Sequence, residues 1–223
     1  VRVVLLLSSS LLCACLSAPE PAGTGDPGDA GSDDCERIPL SEDFADEDWQ
    51  SARWATSHED VPGMLRAEDE RAVIVPSGDA DVYAWFGTTA EFDFADRCVS
   101  VDVPSTLINN EGEDAETLLN LNFGAYEVSM GQSGSALCCQ LDLDGDFLIE
   151  RCEATYSSEA HARWRLRFEA GEAICDTAPA EGAWTEYHRF AYDGPLTGTV
   201  ELMAGTWGDV AEPGQVAFDN INK

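Results

Sequence analysis

Past residue 37 the chain alternates apolar and polar positions with period two, run after run. Arg163-Trp164-Arg165-Leu166-Arg167-Phe168 is the clearest case. Successive strand side chains point to opposite faces, so the three arginines fall on one side and Trp164, Leu166 and Phe168 on the other. The pattern predicts strands at about Ile38–Phe44, Met64–Ala67, Ala72–Pro76, Val82–Gly87 and Cys98–Val103. Further strands are predicted at Thr117–Phe123, Tyr126–Met130, Ala136–Leu143 and Phe147–Ala154. A central meander follows (Arg163–Phe168, Ala173–Thr177, Trp184–Phe190), and Thr197–Thr206 and Gln215–Ile221 complete the set. Turn signals such as Pro76-Ser77-Gly78, Asp144-Gly145-Asp146 and Glu212-Pro213-Gly214 separate the runs, and no stretch keeps a helical period. Many short strands with regular turns predict an all-β, antiparallel two-sheet sandwich.

The N-terminal residues are a different kind of sequence. Arg2 precedes an apolar run, Val3–Leu12, too short to span a bilayer and long enough for a signal-peptide core. It ends in Leu12-Cys13-Ala14-Cys15, which resembles a bacterial lipobox. That resemblance implies cleavage before Cys15, acylation of Cys15 and a lipid bilayer as partner. Leu16 is not the aspartate associated with inner-membrane retention, so the expected location is the outer membrane or cell surface, lipid-anchored. Leu16–Asp34 is rich in Pro, Gly, Ala, Ser and acidic residues and cannot bury a core; it reads as a flexible tether spanning roughly 25 Å. The expected organisation is a signal peptide at 1–14, a lipidated linker at 15–37 and one sandwich domain at 38–223.

Charge narrows the partners. Acidic residues number 43 against 12 basic ones, for a net charge of −31. Such a surface repels phosphate backbones, which excludes nucleic acid, and repels anionic headgroups equally. The histidines, His58, His161 and His188, lie in polar contexts, and no Gly-x-Ser-x-Gly elbow exists, so no nucleophilic triad is visible.

Six cysteines lie beyond the leader: Cys35, Cys98, Cys138, Cys139, Cys152 and Cys175. An even number in an exported domain implies disulfides. If Gly145-Asp146 is the two-residue loop of a hairpin, Cys139 faces Cys152; a shift of one residue selects Cys138 instead. Cys138 and Cys139 point to opposite faces, so the other pairs with Cys175, which leaves Cys35 with Cys98.

Several segments together resemble the concanavalin A-like lectin/glucanase superfamily. They are Asp43-Phe44…Trp49…Trp54, the Trp-Arg strand at Arg163–Arg167, the turn Ala178-Pro179-Ala180-Glu181-Gly182-Ala183-Trp184 and Phe218-Asp219-Asn220-Ile221. The resemblance implies a jelly roll whose first and last strands lie side by side. It also implies a polysaccharide partner, met by aromatics that stack on sugar rings; Tyr83 and Trp85 share a strand face, with Tyr126 and Trp207 as further candidates. Trp49, Trp54, Trp164 and Trp184 are assigned to the core. No cofactor is expected, with one structural calcium as the alternative, where Glu42, Asp43, Asp219 and Asn220 would supply hard oxygen ligands.

Two acidic stretches bear on catalysis. Glu91-Phe92-Asp93-Phe94-Ala95-Asp96 resembles the carboxylate strand of the superfamily's glucanases, but reads better as a solvated turn leading into a strand. The Glu111–Glu116 run reads as a solvated loop. The expectation is therefore a non-catalytic, monomeric envelope lipoprotein displaying a lectin-like sandwich that binds glycans or another envelope component. The alternatives are a glycoside hydrolase using Glu91 and Asp93, with Asp96 nearby, or a purely structural envelope protein.

Overall fold

The computed structural model describes residues 35–45, 53–57, 64–107, 114–143 and 146–223. The leader, Cys15, the tether, Trp49 and His58 lie outside the described residues.

The chain opens with β1 (Glu36–Arg37), β2 (Trp54–Thr56), β3 (Leu65–Glu68), β4 (Arg71–Ile74), β5 (Val82–Thr88) and β6 (Phe92–Asp93). It continues with β7 (Arg97–Ser105), β8 (Ala115–Asn122), β9 (Tyr126–Ser133), β10 (Ala136–Leu143) and β11 (Asp146–Thr155). The last strands are β12 (Arg163–Glu169), β13 (Glu172–Ala178), β14 (Thr185–Ala191), β15 (Thr197–Thr206) and β16 (Val216–Asp219). One sheet runs β14-β13-β12-β7-β16-β4-β3, with β1 pairing parallel to β7. The other runs β11-β10-β9-β8-β15-β5-β2, with β6 on β15. No helix occurs among the described residues. The expected antiparallel sandwich is the observed fold.

Inward-facing side chains of the two sheets form one core. Trp164, Leu166 and Phe168 of β12 meet Leu119 and Leu121 of β8, Val128 and Met130 of β9, and Val200 and Leu202 of β15. Phe94, Phe123, Phe168 and Tyr192 close one end with edge-on and tilted ring contacts of 5.2–6.0 Å. Arg163, Arg165 and Arg167 take the opposite side of β12, as alternation predicts. There Asp176, fully buried, accepts from Nε of both Arg165 and Arg167 at 2.8 Å. Arg167 also reaches Glu169 and Glu186, and Arg189 binds Glu172 and Glu186. Trp184 is buried on this outer face rather than between the sheets, its ring stacked under Arg163 and Arg165 at 4.8 and 4.5 Å.

The predicted strand at Ile38–Phe44 is not continuous. Pro39 has no N–H to give a ladder, and the Asn222 side-chain amide takes the carbonyls of Ile38 and Leu40 instead. What remains is β1 and a single bridge, Glu42 to Ile221, so the two ends of the domain do lie side by side.

Three disulfides form: Cys35–Cys98, Cys138–Cys152 and Cys139–Cys175. Direct pairing of Cys139 with Cys152 is corrected to the one-residue shift. The β10–β11 register begins at Leu143 opposite Asp146, and the bulge between Cys139 and Gln140 brings Cys138 opposite Cys152. Cys139 points inward and ties the two sheets together through Cys175.

Candidate active site

The outer face of the second sheet carries the chemistry. Registers across β5, β15, β8, β9 and β10 arrange its side chains in rows. One row runs Gly87, Glu201, Asn120, Ser129, Gln140, and its neighbour runs Trp85, Met203, Leu118, Gly131, Cys138. A third runs Tyr83, Gly205, Glu116, Ser133, and on the far side Asn122 stands opposite Glu127 and Glu127 opposite Asp142. Much of this face is hidden from solvent: Asn120 and Gln140 are each 1% exposed and Leu118 is 4% exposed.

Three glutamates stand half-buried on it. The Asn120 amide nitrogen lies 3.3 Å from Glu201 Oε2, and Glu127 stands one outward position away, opposite Asn122. Glu116 accepts from Ser133 Oγ at 2.8 Å and Tyr83 Oη at 3.2 Å. Burial pushes the carboxyl groups of all three above their ordinary range. Glu127 rises furthest, to about 7, because the charges of Glu201 and Asp142 add to its burial. Glu201 is held lower by hydrogen bonds from Asn120 and Asn122. Two adjacent carboxyls whose surroundings shift them to different extents are the kind of pair that divides acid and base roles.

Two glycines seat aromatic rings beside these carboxylates. A Cβ at Gly87 would meet the Trp85 ring at 3.0 Å and lie 3.4 Å from Glu201 Cγ. A Cβ at Gly205 would overlap the Tyr83 ring at 2.5 Å. The indole therefore lies down over Gly87 next to Glu201, and the phenol over Gly205 next to Glu116.

The candidates read from sequence fall on both sides of the outcome. Tyr83 and Trp85 sit on this face. Trp207, 37% exposed, extends the β15 ladder one step past Gly205 through its N–H to Asp114. Tyr126 does not join them; it points inward, edge-on to Tyr192 at 5.9 Å. Glu91, Asp93 and Asp96 do not join the rows that carry the three glutamates: all three are exposed, with Asp93 in β6 opposite Thr197, its Oδ1 accepting from the Ala95 N–H at 3.0 Å, and Asp96 at φ 55°. Glu116 belongs to β8 rather than to a loop.

Glu42, Asp43, Asp219 and Asn220 gather near the joined chain ends but face other partners. Glu42 accepts from the backbone N–H of Phe44 at 2.9 Å and lies near Arg53; Asp43 pairs with Lys223, Asp219 with Arg71, and Asn220 donates to Asp102. Among the described residues no group of three or more His, Cys, Asp or Glu side chains is placed to hold a metal. A cavity of about 570 Å³ lies between the N-terminal segment and the β5–β6 turn, lined by Arg37, Ile38, Leu40, Arg53 and Phe92 among others. Among the described residues no carboxylate lines it.

Two large, mostly antiparallel sheets, with Glu42 bridged to Ile221 at the ends of the described domain, form a jelly-roll sandwich of the kind seen in glucanases and lichenases. No protein-family model and no curated protein matches the chain. Solved structures do. The Bacillus licheniformis beta-glucanase superposes with a TM-score of 0.59 at 8% identity, covering 83% of this chain and 96% of that one. A beta-1,3-1,4-glucanase (lichenase) from a mouse hindgut metagenome gives 0.55 at 12% identity, covering 82% and 96%. A beta-1,3-glucanase from Mycobacterium marinum gives 0.57 at 15% identity, covering 82% and 97%. At such identities the likeness establishes the fold. The expectation of a non-catalytic chain is nonetheless corrected, because the neighbours sharing this sandwich are glycoside hydrolases.

Sequence reasoning missed Glu127 and Glu201. Each is a lone acid on its strand, and no spacing along the chain links them. The available signal was parity: Glu201 alternates with the apolar Val200 and Leu202, and Asn120 with Leu119 and Leu121, which marks polar positions on an outer face.

Proposed function

We propose that the chain is a glycoside hydrolase that cleaves a β-linked glucan by the retaining, two-carboxylate route, with Glu127 as general acid and Glu201 as nucleophile. The observation that carries this reading is the adjacency of the two carboxyl groups on the outer face: Glu201 stands opposite the buried Asn120, whose amide nitrogen lies 3.3 Å from its Oε2, Glu127 stands opposite Asn122 one outward position along β8, and the Glu201 charge acts on Glu127. Retaining enzymes use such a pair with the carboxyl groups ~5–5.5 Å apart. Glu127, near neutrality, keeps a proton to give to the glycosidic oxygen as that bond breaks. Glu201 forms the new bond to the anomeric carbon. Water then enters, gives its proton to Glu127 and releases the sugar from Glu201. The Trp85 indole beside Glu201 supplies a flat apolar surface for a sugar ring. The neighbours' names, beta-glucanase, lichenase and beta-1,3-glucanase, support glucan as the substrate class.

The test is release of reducing ends from lichenan, laminarin and cellulose by the purified domain. We expect cleavage of a β-glucan, reduced at least about 10³-fold in Glu201→Gln. Intact activity in both Glu201→Gln and Glu127→Gln, or no release from any glucan, would refute the reading. Display from an acylated Cys15 is part of the same proposal, and loss of radiolabelled fatty acid in Cys15→Ser would support it.

A further inference from the structure

The two outer faces of the sandwich treat charge in opposite ways. On the first sheet the acidic groups of β12, β13 and β14 have guanidiniums: Asp176 has Arg165 and Arg167, Glu169 has Arg167, and Glu172 and Glu186 have Arg189. On the second sheet Glu116, Glu127 and Glu201 make no ion pair among the described residues, and no described outward side chain of β5, β8, β9, β10 or β15 is Lys, Arg or His. A half-buried carboxylate without a cation is costly, and a bound cation removes that cost.

A second observation points to a ligand as well. Asn120 Oδ1 is buried and accepts no hydrogen bond, although its own amide nitrogen is engaged. The unmet capacity here is for donors. An ammonium group is donor-only, with three N–H bonds and a positive charge.

We propose that the preferred ligand of this face is an amine-bearing glycan, a β-linked chain containing glucosamine units. One ammonium group pairs with Glu116, and a donor on a neighbouring sugar satisfies Asn120 Oδ1. Glu116 and Asn120 are four residues apart on β8, roughly 13 Å along the strand, so the two contacts belong to different sugars and the ammonium stays clear of the Glu127–Glu201 pair. Trp85, in the intervening row, lies under the chain between them. This inference rests on the hydrolase reading only for the direction in which the chain lies.

The test is calorimetric binding of glucosamine, N-acetylglucosamine and glucose hexamers to the wild-type domain at about pH 6, where the amines are charged. Ionic strengths of about 50 and 300 mM separate the charge contribution. We expect the glucosamine hexamer to bind about tenfold tighter than the other two at low salt, with the advantage shrinking at high salt and in Glu116→Gln. Equal affinity for the three hexamers would overturn the proposal. So would an oligolysine of equal charge that competes as well as the amino-sugar, with Glu116→Gln without effect, because the attraction would then belong to the net charge of −31. Should Glu116→Gln fail to fold, the salt dependence and the oligolysine competition on the wild type decide. Cleavage of neutral glucan without amine preference defeats this inference alone; amine preference without any cleavage defeats the hydrolase reading alone.

Discussion

Replacing Glu127 by glutamine should stabilise the fold and abolish catalysis together. Folding raises the Glu127 carboxyl from 4.5 to about 7. Between those values the folded protein holds a proton that the unfolded chain has released, so stability falls as pH rises through this window. Below about 4.5 both states are protonated and no penalty exists; above about 7 both are ionised and the penalty is constant. At about 1.4 kcal/mol per pH unit the full gap is about 3 kcal/mol, and solvent screening of this half-buried group reduces it to about 2 kcal/mol. Glutamine keeps the shape without the charge. Glu127→Gln should therefore match wild type near pH 4 and exceed it by about 2 kcal/mol above pH 8, about 5 °C in Tm. Urea unfolding at both pH values measures this. Most of the 43 acidic groups are ionised throughout the upper part of the window, so the difference between variant and wild type isolates Glu127. A difference that does not change with pH would refute the argument that this carboxyl is held desolvated beside Glu201.

The other predictions concern separate parts of the molecule. The loop closed by Cys139–Cys175 spans 36 residues and that closed by Cys138–Cys152 spans 14, so replacing the first pair by alanine should cost about 4 kcal/mol and the second about 3 kcal/mol, read by urea unfolding. Asp176→Asn leaves two guanidiniums facing a neutral amide in a buried site; a loss of about 3–5 kcal/mol is expected, and a loss under 1 kcal/mol would contradict the burial of that network. Glu91→Gln should leave glucan cleavage unchanged within about twofold, since Glu91 does not join the rows that carry Glu127 and Glu201.

Most of the strands were legible because their pattern is local. The Arg-Trp-Arg-Leu-Arg-Phe alternation puts Trp164, Leu166 and Phe168 in the core whatever lies opposite them. Trp184 shows the limit of that logic: its burial was legible, but not that two arginines rather than the opposite sheet would cover it. The hairpin cysteines show another. Their register depended on where the β10–β11 turn begins and on the bulge between Cys139 and Gln140, and a slip of one residue exchanges Cys138 for Cys139.

By itself the chain determined an all-β sandwich, the even cysteine set, the acidic character and the shared face of Tyr83 and Trp85, since each depends on composition or on neighbours within a few residues. Only the tertiary structure decided where the carboxylates meet. Glu116, Glu127 and Glu201 come from three different strands, and Glu201 and Glu127 flank Asn120 and Asn122 only because β8 runs between β9 and β15. Their altered acidity comes from desolvation and mutual charge, which exist only once those strands are side by side.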